Sequence, residues 1–235
     1  MSENRRIAFF CSGAGGNFHF IRICIEQGLL PGVELAGAVV EPGSSIGRFC
    51  DIRGIPWRAA SFDRGQQQQE LAPFFRDLRP SVIVTNVHKV LDVELLNKSP
   101  AKLINQHYSL LPAFGGVIGM KAVEQAIEYG ARIVGCTVHH VTAEVDAGPP
   151  IAQIALPLSP IENMNNSLAN SMFRAAALCL LGALLDTQYR ATSIMIEGRH
   201  CLYSGPEFDM QNISDREPVW REVREATGFS RTNLS

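Results

Sequence analysis

Three side chains that can assist acyl transfer lie in two separate stretches of the sequence. Asn105 and His107 follow a short apolar run, and Asp146 precedes a Gly-Pro pair some forty residues later. An amide donates hydrogen bonds to an oxyanion, an imidazole moves a proton, and a carboxylate orients and charges the imidazole. This combination of residue types indicates acyl transfer through a negatively charged tetrahedral state.

Both stretches are predicted to lie at the ends of strands. Leu103 and Ile104 end abruptly in polar residues, followed by Pro112 and a Gly-Gly pair, which is typical of a buried strand that runs into a loop. Apolar residues alternate over 134–138, which predicts a second strand before the turn that carries Asp146. Because ligands in open α/β sheets bind at the carboxyl ends of strands, we expect the three side chains to meet there.

A glycine-rich turn, Ser12-Gly-Ala-Gly-Gly-Asn17, follows the first predicted strand (6–11) and precedes a predicted helix (18–27). Glycines let the backbone approach a ligand, and a helix N-terminus offers free N–H groups, so this arrangement suits an anion. Taken alone, the turn could equally serve close packing of the strand against the helix. Its glycine spacing does not match the dinucleotide-binding fingerprint.

Strands and helices alternate through residue 102, which predicts a Rossmann-like α/β unit with a parallel sheet. No internal repeat or linker divides the chain. Further strands are predicted at 33–40, 55–59 (an edge strand), 80–85, 131–141 and 151–156, with a hairpin at 192–203. Further helices are predicted at 46–53, 63–78, 92–97, 121–129, 160–186 and 219–227.

The two stretches resemble the folate-dependent formyltransferase family, and within it the glycinamide ribonucleotide transformylases. The resemblance rests on Asn105-x-His107, Ser109-Leu-Leu-Pro112, Gly135-Cys-Thr-Val-His139 and Val141-Thr-x-Glu-Val-Asp-Ala-Gly-Pro149. It covers roughly residues 7–203 and implies a catalytic domain at 1–205 with a C-terminal extension at 206–235. The implied Rossmann-like formyltransferase fold is α/β, with a mixed, mostly parallel sheet of about seven strands and helices on both faces.

The resemblance also implies roles for individual residues. Asn105 and His107 would stabilise the oxyanion, while Asp146 would stabilise the protonated imidazole and help relay protons; His139 would play a supporting part. The formyl donor would be 10-formyltetrahydrofolate, bound by His88, Lys89, Val90, Leu91, Val141, Thr142, Ala143, Glu144 and Val145. The small-molecule acceptor, whose amine takes up the formyl group, would be bound by Ser12, Gly13, Gly15, Gly16, Asn17 and Asn86. Ser12-Gly13-x-Gly15-x-Asn17 resembles the loop that binds the acceptor phosphate in this family.

The sequence departs from the family pattern around the acceptor rather than at the three catalytic positions. Tyr108 replaces the usual proline, the loop 113–119 is about three residues longer, and the acidic position of the transformylases falls among residues 174–176, which are Arg-Ala-Ala. We therefore expect an acceptor other than glycinamide ribonucleotide. A true phosphoribosylglycinamide formyltransferase, an amino sugar nucleotide or aminoacyl-tRNA acceptor, another one-carbon unit, and a non-catalytic folate-binding or regulatory relative remain as alternatives.

The composition narrows the class of protein. A net charge of −2 and a pI near 6.3 give no reason to expect nucleic acid as a partner, and no apolar stretch is long enough to span a membrane. The six cysteines form no C-x-x-C pair, which favours reduced structural thiols in a cytoplasmic protein. No set of residues has the spacing of a metal site. The apolar face of the long helix could support a homodimer, although core packing explains it equally well.

Overall fold

The computed structural model describes residues 5–60, 67–86, 101–159 and 162–228. The described strands are β1 Arg5–Cys11, β2 Val33–Val40, β3 Trp57–Ala59, β4 Val82–Asn86, β5 Lys102–His107, β6 Ile133–His140, β7 Pro150–Pro157, β8 Tyr189–Ile196 and β9 Arg199–Pro206. The described helices are α1 Gly16–Glu26, α2 Ser45–Arg53, α3 Gln67–Leu78, α4 Lys121–Tyr129, α5 Asn166–Ala183, α6 Met210–Ser214 and α7 Glu217–Thr227.

The strands form one mixed sheet in the order β3-β2-β1-β4-β5-β6-β7-β9-β8. The pairs from β3 to β5 are parallel, and every later pair is antiparallel, so only β6 and β9 oppose the direction of the others. The predicted α/β class and mostly parallel sheet are confirmed. The predicted number of about seven strands is wrong: the described ranges contain nine. The difference arises because the C-terminal hairpin β8–β9 pairs with β7 and so continues the same sheet.

Most predicted elements occur close to their expected bounds. Strand β3 lies at the edge of the sheet, as its proline-containing sequence predicts. Helix α5 lies within the range 160–186 that was predicted to contain it, and it begins at Asn166 because the Asn165 side chain accepts the N–H of Leu168 and caps the helix there. Helix α6 was not predicted, because five residues are too few to show a helical period. The helix predicted at 92–97 lies outside the described residues.

Hydrophobic residues fill both faces of the sheet, because successive side chains of a strand point to opposite sides. Phe9 belongs to the larger core, which helices α1, α5 and α7 cover, whereas its neighbour Phe10 packs with Phe75 of α3 on the other face. The six cysteines, all of them described, are buried and form no disulfide. Within the described ranges, no helix combines the length and apolar character needed to cross a bilayer.

The residues after β9 are part of the larger core. Trp220 of α7 stacks on Phe20 of α1 with ring centroids 4.7 Å apart, and its indole N–H donates to the Ser214 carbonyl at 2.9 Å. Val219 and Val223 are buried beside it. The C-terminal helix is therefore fixed against the first helix of the chain, close to the glycine-rich turn.

His19 is buried in the same layer, between the rings of Phe18 and Phe49 at 5.3 and 4.8 Å. Its Nδ1 has no hydrogen-bond partner in the structure. Burial lowers the pKa of His19 from 6.5 to about 4, with a further lowering by the Arg22 charge and an opposing effect of Glu222. The folded protein thus binds this proton far less readily than the unfolded chain.

This shift makes folding stability depend on pH in a defined direction. Between pH 6.5 and 4 the unfolded chain takes up the proton and the folded protein does not, so the free energy of unfolding falls as the pH falls. The loss due to His19 should reach about 3 kcal/mol. We expect His19→Gln to remove that part of the pH dependence in urea unfolding at pH 7 and 4.5, whereas exposed His200→Gln should retain it. An unchanged slope in His19→Gln would contradict the assignment.

Candidate active site

Strand β5 carries Asn105 and His107 on one face, since they are two residues apart. Its antiparallel partner β6 places His139 opposite Asn105 and Thr137 opposite His107. A register shift between β6 and β7 lies immediately beside His139. Bulges of this kind commonly occur next to active sites, where they redirect side chains. The two strands thus gather an amide and two imidazoles at one place.

Asp146 reaches these imidazoles from the turn between β6 and β7. Its backbone is left-handed, with φ of +54°, which turns the carboxylate back toward the sheet. One oxygen, Oδ2, lies 3.3 Å from His107 Nδ1 and accepts the Gly116 N–H at 2.8 Å. The other, Oδ1, lies 3.5 Å from His139 Nε2. The structure therefore brings His107 and Asp146 together, as predicted, and adds His139 as a second neighbour.

The surroundings of His107 define the roles of its two ring nitrogens. Nε2 lies 3.0 Å from the carbonyl oxygen of Phe114, which can only accept, so Nε2 carries a proton. Nδ1 then faces the Asp146 carboxylate. A protonated imidazole presents an N–H to both oxygens, whereas the neutral ring would turn a lone pair toward the carboxylate. Both ring nitrogens of His107 thus face oxygen atoms that accept hydrogen bonds.

The Asp146 carboxylate is ionised. Burial alone would raise its pKa, but contact with His139, the Gly116 N–H and the charges of His107 and His139 outweigh burial and lower the pKa below its ordinary value. This group therefore keeps its negative charge throughout the neutral pH range. It is suited to stabilise a positive charge on His107.

The loop after His107 is held in place by buried Thr137. The Thr137 hydroxyl donates to the Ser109 carbonyl at 2.8 Å and accepts the Leu111 N–H at 3.1 Å. It also accepts a hydrogen bond from Gln153 at 3.0 Å. These bonds fix the segment that delivers the Phe114 carbonyl and the Gly116 N–H to the two catalytic side chains. The longer loop 113–119 thus supplies backbone contacts to the site.

Asn105 is half-buried on the same face as His107, and within the described ranges its side chain forms no hydrogen bond. The amide is therefore available to a ligand. His139 is anchored by its other nitrogen, since Nδ1 donates to the His140 carbonyl at 2.9 Å. This anchoring directs Nε2 toward Asp146, in agreement with the supporting role predicted for His139.

The predicted folate-binding residues fall into two groups. Val141, Thr142, Ala143, Glu144 and Val145 form the turn that leads to Asp146, and all but the half-buried Val141 are exposed. The Thr142 hydroxyl donates to the Glu144 carbonyl at 2.9 Å, which shapes the turn. His88, Lys89, Val90 and Leu91 lie outside the described residues. Asn86 is the last residue of β4.

A cavity of about 680 Å³ lies beside the glycine-rich turn. Five of the predicted acceptor residues line it: Ser12, Gly13, Gly15, Gly16 and Asn17. Residues of α5 and α7 form other walls of the cavity. Asn105, His107 and Asp146 do not line the cavity themselves. Tyr108, which directly follows His107 in the chain, does line it.

The glycine-rich turn has the geometry that an anion site requires. Gly15 precedes α1 with φ of +67°, and a Cβ atom there would lie 2.5 Å from Ile46 Cδ1, so a larger residue would be excluded on two counts. The first N–H groups of α1 have no partner within the helix and point out of its N-terminus. Asn17 is only 3% exposed, and its Oδ1 has no hydrogen-bond partner in the structure. A carboxamide oxygen accepts hydrogen bonds, so a donor and not an anion would pair with this atom.

Sequence reasoning missed the part of the cavity formed by helix α7. Its lining residues are Trp220, Val223, Arg224 and Thr227, which recur at helical spacing on one face. The periodicity predicts a helix with such a face, but contains no signal for what that face covers. Arg174 of α5, one of the residues 174–176 among which the acidic position of the transformylases is expected to fall, also lines the cavity.

A profile of the formyl transferase family matches residues 5–184 of the chain. The chain belongs to the formyl transferase family. This confirms the resemblance seen in the catalytic stretches, and the match includes Asn105, His107 and Asp146.

Members of this family with different activities are similar to the chain. It is 30% identical over 164 residues to the chloroplastic phosphoribosylglycinamide formyltransferase of Arabidopsis thaliana, which covers 66% of this chain and 56% of that protein. It is 33% identical over 135 residues to the formyltetrahydrofolate deformylase of Escherichia coli, which covers 53% of this chain and 47% of that protein. The chain thus spans about half the length of these two relatives.

The fold agrees with a solved member of the family. The glycinamide ribonucleotide transformylase of Geobacillus kaustophilus superposes with a TM-score of 0.68 at 27% identity, covering 77% of this chain and 96% of that one. The formyl transferase profile ends at residue 184. The hairpin β8–β9 and helices α6 and α7 therefore lie beyond the part of the chain that the profile matches.

The turn that carries Asp146 depends on Gly148. A Cβ atom at this position would lie 1.7 Å from the His140 carbonyl oxygen, so Gly148→Ala must push the turn away from β6. We expect a loss of stability on the order of 2–3 kcal/mol in urea unfolding. The matched control is Gly115→Ala, where the added methyl meets Asp146 Cβ at 3.8 Å, an ordinary contact. Equal stability of the two variants would show that the turn yields without cost.

Proposed function

We propose that the protein transfers the formyl group of 10-formyltetrahydrofolate to the amine of a small-molecule acceptor other than glycinamide ribonucleotide. The observation that carries this proposal is the placement of His107 between the Phe114 carbonyl and the Asp146 carboxylate, with Asn105 available on the same face. These are the groups that formyl transfer requires. They occur in a chain whose family profile is that of formyl transferases.

Asn105 and His107 stabilise the negative charge that develops when the amine adds to the formyl carbon. The Asn105 amide donates toward the carbonyl oxygen, and the His107 ring, whose Nε2 faces the Phe114 carbonyl and whose Nδ1 faces Asp146, lies beside it. Such preorganised donors contribute most when the charge forms, because they need no reorganisation at that moment. The ionised Asp146 carboxylate, 3.3 Å from Nδ1, would stabilise positive charge that reaches the imidazole during transfer.

Transfer forms one carbon–nitrogen bond and breaks another. The acceptor amine bonds to the formyl carbon, the bond from that carbon to the folate nitrogen breaks, and one proton passes from the attacking amine to the leaving nitrogen. Asp146 and His107 lie within 3.3 Å of each other and can hold and return this proton, directly or through water. The proton balance therefore closes without a metal or redox group.

The donor fits the exposed side of the site. The turn 141–145 offers backbone groups that are open to solvent and leads directly to Asp146. A pterin needs such backbone partners together with apolar surface, which Val141 and Val145 supply. The remaining donor residues of this proposal, His88, Lys89, Val90 and Leu91, lie outside the described part of the chain.

The cavity supports an acceptor that differs from glycinamide ribonucleotide. Helix α5 contains no acidic residue, so it cannot provide the acidic group expected of the transformylases. Arg174 takes part in the lining instead, and Glu124 of α4 is the only acidic residue among the described lining residues. An acceptor with a different charge pattern suits this lining better.

Hydrolysis of the donor is the second candidate function. The similarity to the formyltetrahydrofolate deformylase of Escherichia coli favours it, because water would then take the place of the amine. The same catalytic residues would serve both reactions. The cavity beside the glycine-rich turn favours transfer, since its volume of about 680 Å³ far exceeds the need of a water molecule.

The two candidates are separated by incubating the protein with 10-formyltetrahydrofolate and a panel of amines that includes glycinamide ribonucleotide. We expect release of tetrahydrofolate only with an amine, and with an amine other than glycinamide ribonucleotide. Release without any amine would establish hydrolysis. Rapid transfer to glycinamide ribonucleotide would overturn the acceptor proposal, and donor binding without any release would indicate a non-catalytic relative.

Substitutions at the catalytic residues should separate chemistry from donor binding. We expect His107→Ala and Asp146→Asn to reduce turnover about a hundredfold or more, because they remove groups that act in the transition state. Donor affinity, measured by fluorescence titration, should stay within a few-fold of the wild type. His200→Ala, at an exposed position on β9, is the control and should keep full turnover. Near-normal turnover of His107→Ala would refute the catalytic assignment.

A further inference from the structure

Helix α7 contributes two charged contacts to the wall of the cavity. Glu217, the first residue of the helix, accepts a hydrogen bond from Arg174 Nη2 of α5 at 3.1 Å. Its second carboxylate oxygen accepts one at 2.5 Å from Nη2 of Arg224, which lies two turns farther along α7. Both arginines line the cavity, whereas Glu217 does not. One carboxylate thus holds two guanidinium groups at the edge of the same cavity.

Arg174 is a buried arginine with partners on several sides. It is only 8% exposed, its guanidinium lies 4.9 Å from the centre of the Trp220 ring, and its Nε lies 3.3 Å from Glu197 without forming a hydrogen bond. A buried guanidinium of this kind needs several partners to offset its desolvation. Helix α7 provides two of them, Glu217 and Trp220. The position of α7 and the charge of the cavity wall are therefore linked.

The charge of the lining favours an anion. Among the described lining residues, Arg174 and Arg224 are positive and Glu124 is negative. The N-terminus of α1 adds donors on the side of the glycine-rich turn, because its first N–H groups have no partner within the helix and Gly16 and Asn17 line the cavity. Arg224 is partly exposed and held by a single carboxylate, so its guanidinium can also meet a ligand.

We propose that α7 is the acceptor-selecting wall of this cavity, and that Arg224, backed by Arg174, binds a phosphate group of the acceptor. This inference rests on the proposed function, in which the cavity holds the acceptor. Arg224 acts as a binding residue, and Glu217 sets how much of the positive charge of both arginines reaches the ligand. Guanidinium groups suit phosphate because they offer paired donors.

The test uses inorganic phosphate as the probe, titrated calorimetrically at constant ionic strength. We expect Arg224→Gln to weaken phosphate binding about tenfold, since it removes a charged hydrogen bond. Arg221→Gln is the matched control, because Arg221 is an exposed arginine of the same helix that does not line the cavity. It should bind phosphate like the wild type. Equal effects of the two substitutions, or none, would overturn the proposal.

A second variant is expected to change affinity in the opposite direction, which a purely structural role for α7 would not produce. Glu217→Gln removes the negative charge that the two arginines share but keeps an oxygen that accepts a hydrogen bond. We expect phosphate to bind about threefold more tightly. Glu222→Gln, which alters a glutamate of α7 that pairs with Arg22 instead, should leave phosphate binding unchanged. Weaker binding by Glu217→Gln with an unchanged melting temperature would contradict the proposal.

Binding of 10-formyltetrahydrofolate to the same variants separates this inference from the proposed function. Wild-type donor affinity in Arg224→Gln, together with weakened phosphate binding, is the expected result. If phosphate binding depends on Arg224 but the protein binds no donor, the anion site stands and the formyl-transfer proposal fails. If the donor binds and phosphate binding is insensitive to Arg224, the proposal for α7 fails and the transfer proposal stands.

Discussion

The catalytic site is organised around one buried carboxylate. A buried negative charge must receive hydrogen bonds or positive charge, and Asp146 obtains them from three separate parts of the chain: His107 at the end of β5, His139 on β6 and the Gly116 N–H of the following loop. Each of these groups is in turn fixed by the sheet or by its backbone. Satisfying the carboxylate therefore requires the strand pairing, the turn and the loop to be correct at once.

The end of β5 serves two surfaces that the reaction must bring together. Asn105 and His107 point to the side of Asp146, and Tyr108, the next residue, lines the cavity beside the glycine-rich turn. The donor, on this proposal, approaches from the exposed turn 141–145, and the acceptor approaches past Tyr108. Tyr108, where the family pattern has a proline, would then lie at the boundary between the two.

Local patterns were sufficient to predict most strands, the glycine-rich turn and the pairing of His107 with Asp146. The reason for that pairing was predicted less well. The carboxyl end of β6 does not share an edge with β5, because β6 is antiparallel; the left-handed backbone of Asp146 returns the carboxylate instead. A positive φ at an aspartate has no reliable sequence signal. The packing of α7 beside the cavity could not be predicted from local sequence either, since the stacking of Trp220 on Phe20 joins residues two hundred positions apart.

The buried Arg174 connects acceptor choice to the C-terminal helix. Arg174 places a positive charge in the cavity wall, and it can be buried only where partners offset its desolvation. Glu197 comes from the turn between β8 and β9, and Glu217 and Trp220 come from α7, all beyond residue 184, where the match to the family profile ends. The positive charge that Arg174 brings to the cavity therefore depends on residues beyond the matched range. In the proposed function, the matched part of the chain would carry the chemistry, and the segment after it would help to select the acceptor.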